Sequence, residues 1–562
     1  MQKVCAASLV MLLAVGPLPA PMYAAGGHGG ESLETATPIK HLVVIYQENV
    51  SFDHYFATYP YATNPAGEPP FHALPGTPSV NGLTHGLLTN NPNYLNAANN
   101  ATLKSGAVSM AANPFRLDRS QAATADQDHN YTPEQMAFDG GLMDLFPLSV
   151  GTEGPPPSAP AAAETTALTM GYFDGNTVTA LWNYAQHFAM SDNMYGTTFG
   201  PSTPGALEVI SGQTNGVASN TVSVNNTTIV AGGGGSETLI SDADPAGDVC
   251  ASKSKNVYMN GSNIGDLLNA AGVSWGFFEG GFDLTITNSN DTTGCSRSTL
   301  SAVTGVTETD YIPHHQPFQY YTSTQNLAHT RPASVASIGE PNDSVAHNQY
   351  DIHDFFDAVK AGNFPAVAYL KAPGYEDGHA GYSDPLDEQN FIVNTINFLE
   401  QQPEWSSTAV IISYDDSDGW YDHQMSPIVN QSQTPADVLN GSGFCGTATP
   451  GLAGIDPTTT PNAQGRCGYG PRLVFMVISP WAKTNYVSHK IIDQSSVVRF
   501  IEDNWLGGQR LGGGSFDAIA GSINDMFDFS QPAWNQNRLF LNSSTGEPVN
   551  QFPGLPFGFP VR

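Results

Sequence analysis

The chain has 562 residues, 40% hydrophobic and 12% charged, with 57 glycines, 41 prolines and a formal net charge of −32 at pH 7. That is enough chain for a large core with more than one layer, and too apolar for a disordered polymer. A surface this acidic repels phosphate backbones and anionic lipid head groups, which argues against nucleic acid or an anionic membrane as a standing partner.

Residues 1–25 read as an export signal: Lys3 gives a positive start, Val4 to Val15 is apolar, and Tyr23, Ala24 and Ala25 offer small residues for cleavage. The run is too short to span a bilayer, Pro17, Pro19 and Pro21 break it, and no later segment approaches the ~20 apolar residues a span needs. The expectation is a periplasmic or secreted protein without a transmembrane segment. Cys5 leaves with the signal. Cys250, Cys295, Cys445 and Cys467 remain, and an even count in an exported chain predicts two disulfides. Pairing Cys250 with Cys295 and Cys445 with Cys467 lets each bridge bracket one polar loop, and the spacing does not suit a thiolate metal site.

After a Gly-rich leader, Ile39 to Tyr46 reads as a first buried strand, ending in Gln47, Glu48, Asn49, Ser51, Asp53 and His54. Residues 57–120 form an Asn- and Pro-rich excursion. DQDHNYTPEQ carries Asp126, Asp128 and His129 into a helix ending near Gly140. Thr177 to Met190 has helical spacing, Met194 to Pro204 reads as a loop, and Gly205 to Ser211 opens a helix. Residues 214–255 and 287–345 are polar insertions around a strand at Val273 to Phe278, the second carrying His314 and His315. Ala366 to Lys371 is a strand running towards Glu376 and His379. Asp384 and Pro385 start a helix, since Asp caps and Pro suits the first turn. Ala409 to Ile412 is an apolar strand, followed after a Cys-bracketed loop by Leu473 to Ile478 and a helix over Ser495 to Trp505. Strands alternating with helices predict an α/β sandwich with a central, mostly parallel sheet. The expected organisation is a signal over 1–25, a catalytic domain over 36–530 carrying the three insertions, and a tail over 531–562 packed on the core.

The stretch YDDSDGWYDH at 414–423 organises the chemistry. Asp415, Asp416 and Asp418 crowd at the carboxyl end of an apolar strand, and such carboxylates repel one another unless a cation sits among them. The bland alternative is an acidic turn. Loops at the carboxyl edge of such a sheet converge, so Glu48, Asn49, Asp415 and Asp416 can meet as a hard, oxygen-rich cage for a divalent cation. In GPSTP at 200–204, Pro204 suits the first helical position, which places Ser202 or Thr203 at or next to the N-cap. A hydroxyl there can attack phosphorus beside a metal, or can simply cap. Surface or core roles are expected for His28, His41, His72, His85 and His187.

QENVSFDHYF, DQDHNY, SDNMYGTTFGPSTPGAL, HHQPF, the His379 stretch, YDDSDGWYDH and YGPRLVFMVISPWA, in this order from about 38 to about 506, resemble the bacterial phosphoesterase family of acid phosphatase A and the phosphocholine-type phospholipases C. The resemblance implies an alkaline-phosphatase-like fold and one divalent metal (Ca, Mg, Mn or Zn) held by Glu48, Asn49, Ser202, Asp415 and Asp416. It implies Ser202 as nucleophile, His129, His315 or its neighbour His314, and His379 around the phosphoryl group, and Asp418 near the leaving group. The phospholipase branch typically carries Thr in the turn, then Pro-Asn-Arg, and Asp-Glu in the strand motif. Ser202, Pro204-Gly205-Ala206 and Asp415-Asp416 depart from that pattern towards the acid phosphatases. The expectation is therefore a metal-dependent acid phosphatase acting on a small phosphate ester. The rivals are a phospholipase C-type phosphodiesterase acting on a phospholipid head group, and a non-enzymatic calcium-binding secreted protein.

Overall fold

The computed structural model describes residues 34–103, 106, 108–152, 161–219, 221–232, 236–446, 464–531 and 537–549. The expected export signal and His28 lie outside these residues. A nine-stranded sheet runs through the molecule. In chain order its strands are β1 (His41–Gln47), β2 (Ala189–Tyr195), β3 (Trp275–Glu279), β4 (Gln349–Asp351), β5 (Val367–Lys371), β6 (Thr408–Tyr414), β7 (Arg472–Ile478), β8 (Tyr486–Ser488) and β9 (Ile492–Asp493). Across the sheet the order is β4-β3-β5-β1-β6-β7-β2-β8, with β9 also on β2. All neighbours pair parallel except β7, which is antiparallel to β6 and β2. The mixed α/β class with a mostly parallel sheet is thus the one expected.

Strands β1 and β6 are buried along their whole length, which is why they read as unbroken apolar runs. The principal helices are α1 (Phe52–Phe56), α2 (Tyr131–Phe138), α3 (Thr179–His187), α4 (Ser202–Ser211), α5 (Ile352–Lys360), α6 (Pro385–Glu400) and α7 (Ser496–Trp505). Asp384 caps α6 as expected, accepting from the N–H groups of Leu386 and Asp387, with Pro385 in the first turn. Two expectations are corrected. The helix read over Thr177 to Met190 stops at His187, and the stretch read as its end and a loop contains β2. The polar Ser191, Asp192 and Asn193 hide that strand, yet Asp192 is buried and paired with the Asn81 N–H and His489. Helix α4 begins at Ser202, not Gly205, so Pro204 is its third residue. The first helical N–H groups have no intrahelical partner, so a proline there breaks no bond.

The stretches read as insertions carry short hairpins, such as Ile229–Ala231 with Glu237–Leu239 and Ser298–Leu300 with Thr307–Thr309. Both expected disulfides are formed, Cys250–Cys295 and Cys445–Cys467. Leu541 is buried on α6, exchanging hydrogen bonds with the Asn397 side chain. His41 is buried against Phe364, the core-satisfying role expected of it. Among the described residues no helix is long and apolar enough to cross a membrane.

Candidate active site

Register builds the site. Gln47 of β1 lies opposite Tyr414 of β6, so the next residues, Glu48 and Asp415, leave the sheet side by side. Lys371 ends β5 on the other flank of β1, opposite Glu279 of β3. All four side chains are buried at the carboxyl edge of the sheet. Lys371 Nζ forms an ion pair with Glu48 Oε1. Burial pushes the Glu48 carboxyl up, but the Lys371 charge, the hydrogen bonds with Asp415 and Lys371 and the His314 charge together outweigh it, and the net shift is below the usual carboxylate range.

The carboxylate turn folds back on itself. Asp415 Oδ1 accepts from the N–H groups of Asn49 (2.9 Å) and Asp416 (2.7 Å), and Asp416 Oδ1 accepts from the Asp418 N–H at 2.7 Å. Asn49 and Asp418 both have positive φ, 63° and 54°, a conformation Asn and Asp tolerate better than most side chains. The Asn49 side-chain amide donates to Asp418 Oδ1 at 3.0 Å, joining the two turns. Burial and then the Glu48 charge push the Asp415 carboxyl well up, and burial and then the Asp415 charge do the same to Asp416.

Helix α4 delivers the hydroxyl. Ser202 Oγ donates to Asp416 Oδ2 at 3.3 Å. Thr203 turns away: its N–H and its hydroxyl both donate to Asp242 Oδ1 at 3.0 Å. The residue two places on is glycine because a Cβ at Gly205 would lie 2.2 Å from the Asp415 carbonyl oxygen, so the helix is pressed onto the carboxylate turn.

Histidines close the ring. His129 Nδ1 lies 3.2 Å from Asp418 Oδ1, and although burial opposes it, the charges of Asp416 and Asp418 raise its pKa well above the ordinary value. The His379 ring stands edge-on to His129 with centroids 6.1 Å apart, and burial lowers its pKa. Of the adjacent pair, His315 faces the cage, with Nε2 3.5 Å from Glu48 Oε2, while His314 Nδ1 is 3.6 Å from Asp244. Burial and then Lys371 lower the His315 pKa well below the ordinary value.

The oxygen set fits a hard divalent cation. Glu48 Oε2, Asn49 Oδ1 and Asp415 Oδ2 are buried acceptors without a hydrogen-bond donor, and buried acceptors ordinarily have one. Among the described residues three further groups have close ligand-type atoms: Asp126 with His129 and His379, Asp248 with Cys250 and His329, and Asp53 with Asp422 and His423. Only the first belongs to the ring just described. Cys250 is consumed by its disulfide, and the Arg472 guanidinium already joins Asp53 and Asp422 at 3.1 and 3.0 Å.

Residues 39–506 match the model of the phosphoesterase family. The chain belongs to that family. Among the curated relatives, it is 22% identical over 507 residues to a non-hemolytic phospholipase C of Pseudomonas aeruginosa, covering 88% of this chain and 58% of that protein. The match to phospholipase C A of Mycobacterium tuberculosis is 23% over 508 residues, covering 88% and 78%. The chain thus spans about three fifths of the length of the first relatives it matches. Among solved structures, murine ectonucleotide pyrophosphatase / phosphodiesterase 5 aligns with a TM-score of 0.30 at 13% identity, covering 62% of this chain and 95% of that one.

The candidate site contains groups that the sequence did not reveal. Lys371 closes a buried strand, and a lysine at the last position of a parallel strand was the available signal. Asp377, next to the singled-out Glu376, is the carboxylate on that loop that faces the ring, with Oδ2 3.8 Å from His315 Nδ1. Asp242 sits in a stretch with no motif, and Glu134, although inside DQDHNYTPEQ, gets its partners only from tertiary contact.

Proposed function

We propose that the protein is an exported, metal-dependent phosphoesterase that hydrolyses phosphate monoesters through a phosphoserine at Ser202. The observation that carries this is the Ser202 hydroxyl at the first position of α4, 3.3 Å from Asp416, among three donor-less buried oxygens and a ring of histidines. Glu48, Asn49, Ser202, Asp415 and Asp416 would hold one divalent cation, with calcium, magnesium, manganese and zinc all compatible with oxygen donors. A cation bound there supplies positive charge to an ionising hydroxyl and to phosphoryl oxygens.

The protein's own groups do the rest. Ser202 Oγ forms a bond to phosphorus as the ester oxygen leaves, and water later cleaves the phosphoserine. In the first turn of α4 Pro204 has no N–H and the Thr203 N–H is given to Asp242, so the helix meets the developing negative charge mainly with its dipole. His315, kept neutral by burial and Lys371, and His379 orient phosphoryl oxygens, and His129, held by Asp418, gives the leaving oxygen a proton. The local sequence left Ser202 and Thr203 open. The hydrogen bonds of Thr203 to Asp242 support Ser202.

The names of the relatives favour a second reading, a phospholipase C-type phosphodiesterase acting on a phospholipid head group. Turnover of p-nitrophenyl phosphate against p-nitrophenyl phosphorylcholine, with and without chelator, separates the two. Monoester turnover that chelator abolishes and metal restores is expected. Ser202→Ala should remove nearly all of it, Thr203→Ala much less, and a phosphoenzyme trapped at low pH should carry its label on the Ser202 peptide. Asp416→Ala should lower bound metal in a folded protein. Exclusive diester turnover would select the second reading, and label on Thr203 or an active Ser202→Ala protein would overturn the nucleophile. Phosphate release from no ester at all would leave the non-enzymatic reading.

A further inference from the structure

Resting on Ser202 as nucleophile, we propose that Glu134 is a positioning residue that fixes the distance between the nucleophile turn and the carboxylate turn. Glu134 lies on α2 and is buried. Its Oε2 accepts from the Gly200 N–H at 2.8 Å, two residues before Ser202. Its Oε1 accepts from the Ser417 hydroxyl at 2.7 Å, between Asp416 and Asp418. Ser417 Oγ in turn accepts from the Gly419 N–H at 3.1 Å, so the carboxylate reaches the backbone on both sides. The helix that carries Glu134 follows directly on the turn of His129, and the Glu134 N–H bonds the Asn130 carbonyl at 3.1 Å. One side chain therefore ties together the turns carrying Ser202, Asp416 and His129.

Stability alone is a poor reason for this group. Among the described residues Glu134 has no ion-pair partner, and burial pushes its carboxyl up to about 7. A buried carboxylate held by two neutral donors contributes little to folding, and an apolar side chain could fill the space at lower desolvation cost. What the apolar side chain lacks is a rigid bridge between two turns. Gly200 has a φ of 117°, and a Cβ there would lie 3.0 Å from the Ile240 carbonyl, so no side chain of its own can anchor that turn.

Misplacement of reacting groups by about 1 Å costs roughly 100-fold in rate. Glu134→Ala should therefore lower kcat for p-nitrophenyl phosphate roughly 100-fold with KM changed less than about 3-fold. Glu134→Gln should restore most of kcat, because its carbonyl oxygen can accept from Gly200 while its amide donates to Ser417. Ser417→Ala should reproduce part of the loss, and adding it to Glu134→Ala should cost little more. Ser202→Ala is measured beside them. If it stays active, the phosphoserine reading falls, whatever Glu134 does. If it is dead while Glu134→Ala keeps its kcat and merely melts earlier, Glu134 is a structural residue and the positioning proposal falls. Should Glu134→Ala fail to fold, Ser417→Ala and Glu134→Gln decide: an unchanged kcat in Ser417→Ala together with a dead, folded Glu134→Gln protein overturns it.

Discussion

Arg472 opens β7 at the edge where the active-site turns emerge, and Arg472→Met tests how that edge is held. Its guanidinium is buried. Nε donates to Asp422 at 3.0 Å, one terminal nitrogen to Asp53 at 3.1 Å, and the other to the carbonyls of Asn81 and Asp192 at 2.7 and 3.0 Å. It also lies 4.3 Å over the Phe52 ring, a contact the methionine side chain can keep. Removing one partner of a buried pair costs about 3–5 kcal/mol, because an uncompensated charge stays behind. His423 Nδ1 still holds Asp53 at 2.6 Å, which limits the loss, so we expect about 4 kcal/mol near neutral pH. The pH dependence has a definite sign. Burial pushes Asp53 up, and His423 and then Arg472 bring it net below its ordinary value. It contributes stability above its unfolded pKa, and that contribution disappears as pH falls through the folded one. Without Arg472 the depression shrinks, so the destabilisation should be largest near pH 7, still present at pH 4, and smaller at about pH 2, below the unfolded pKa of Asp53. Urea midpoints at pH 7 and about pH 2, compared at equal slope, measure it. A cost under about 1 kcal/mol, or the same cost at both pH values, would refute the reasoning.

Two further outcomes test other parts of the molecule. Replacing Cys445 and Cys467 by serine opens a 22-residue loop and should cost about 3 kcal/mol by chain entropy, and an unchanged melting temperature would count against it. Asp351 is buried, and the hydrogen bond and charge of His353, then Arg297, outweigh that burial and hold its carboxyl at about 2, against an ordinary 3.8. It contributes about 2 kcal/mol above pH 4 that fades between pH 4 and 2, so Asp351→Asn should be destabilised by that amount at pH 7 and not at pH 2.

The parts of this fold legible in the sequence are those whose cause is local. Buried parallel strands show as apolar runs, which exposed β1 and β6, and the polar residues that end such runs supplied Glu48, Asn49 and Asp415. The cap at Asp384 and both cysteine pairs are local signals of the same kind. Strand β2 stayed hidden because Asp192 takes its partners from Asn81 and His489, more than a hundred residues away on one side and nearly three hundred on the other. The start of α4 was misplaced because a proline at its third position looks like one at its first. Lys371 and Asp377 sat inside stretches already singled out, but their importance lies in the register of β5 against β1 and in the fold of the next loop. Glu134 lies in the DQDHNYTPEQ stretch but nothing local marks it out, since one bond ties it to a backbone amide 66 residues on and the other to a hydroxyl 283 residues on.

The charges at the sheet edge support the proposed cation. Glu48, Asp377, Asp415, Asp416 and Asp418 are all buried there, and the fixed cation among them is Lys371, already paired with Glu48. Burial and then the charge of a neighbouring carboxylate push four of these carboxyls well above their ordinary range, while Glu48 is held below it by Lys371, the Asp415 hydrogen bond and His314 together. A phosphate ester entering such a cluster would meet more negative charge than the helix N-terminus of α4 and the histidines can offset. Protonating the carboxylates would relieve the repulsion but would also remove the acceptors around Ser202. A divalent cation held there would relieve it while leaving Glu48, Asp415 and Asp416 ionised, and the acceptor oxygens without a donor could hold it. The crowding that costs stability is, on this reading, what would create affinity for the ion.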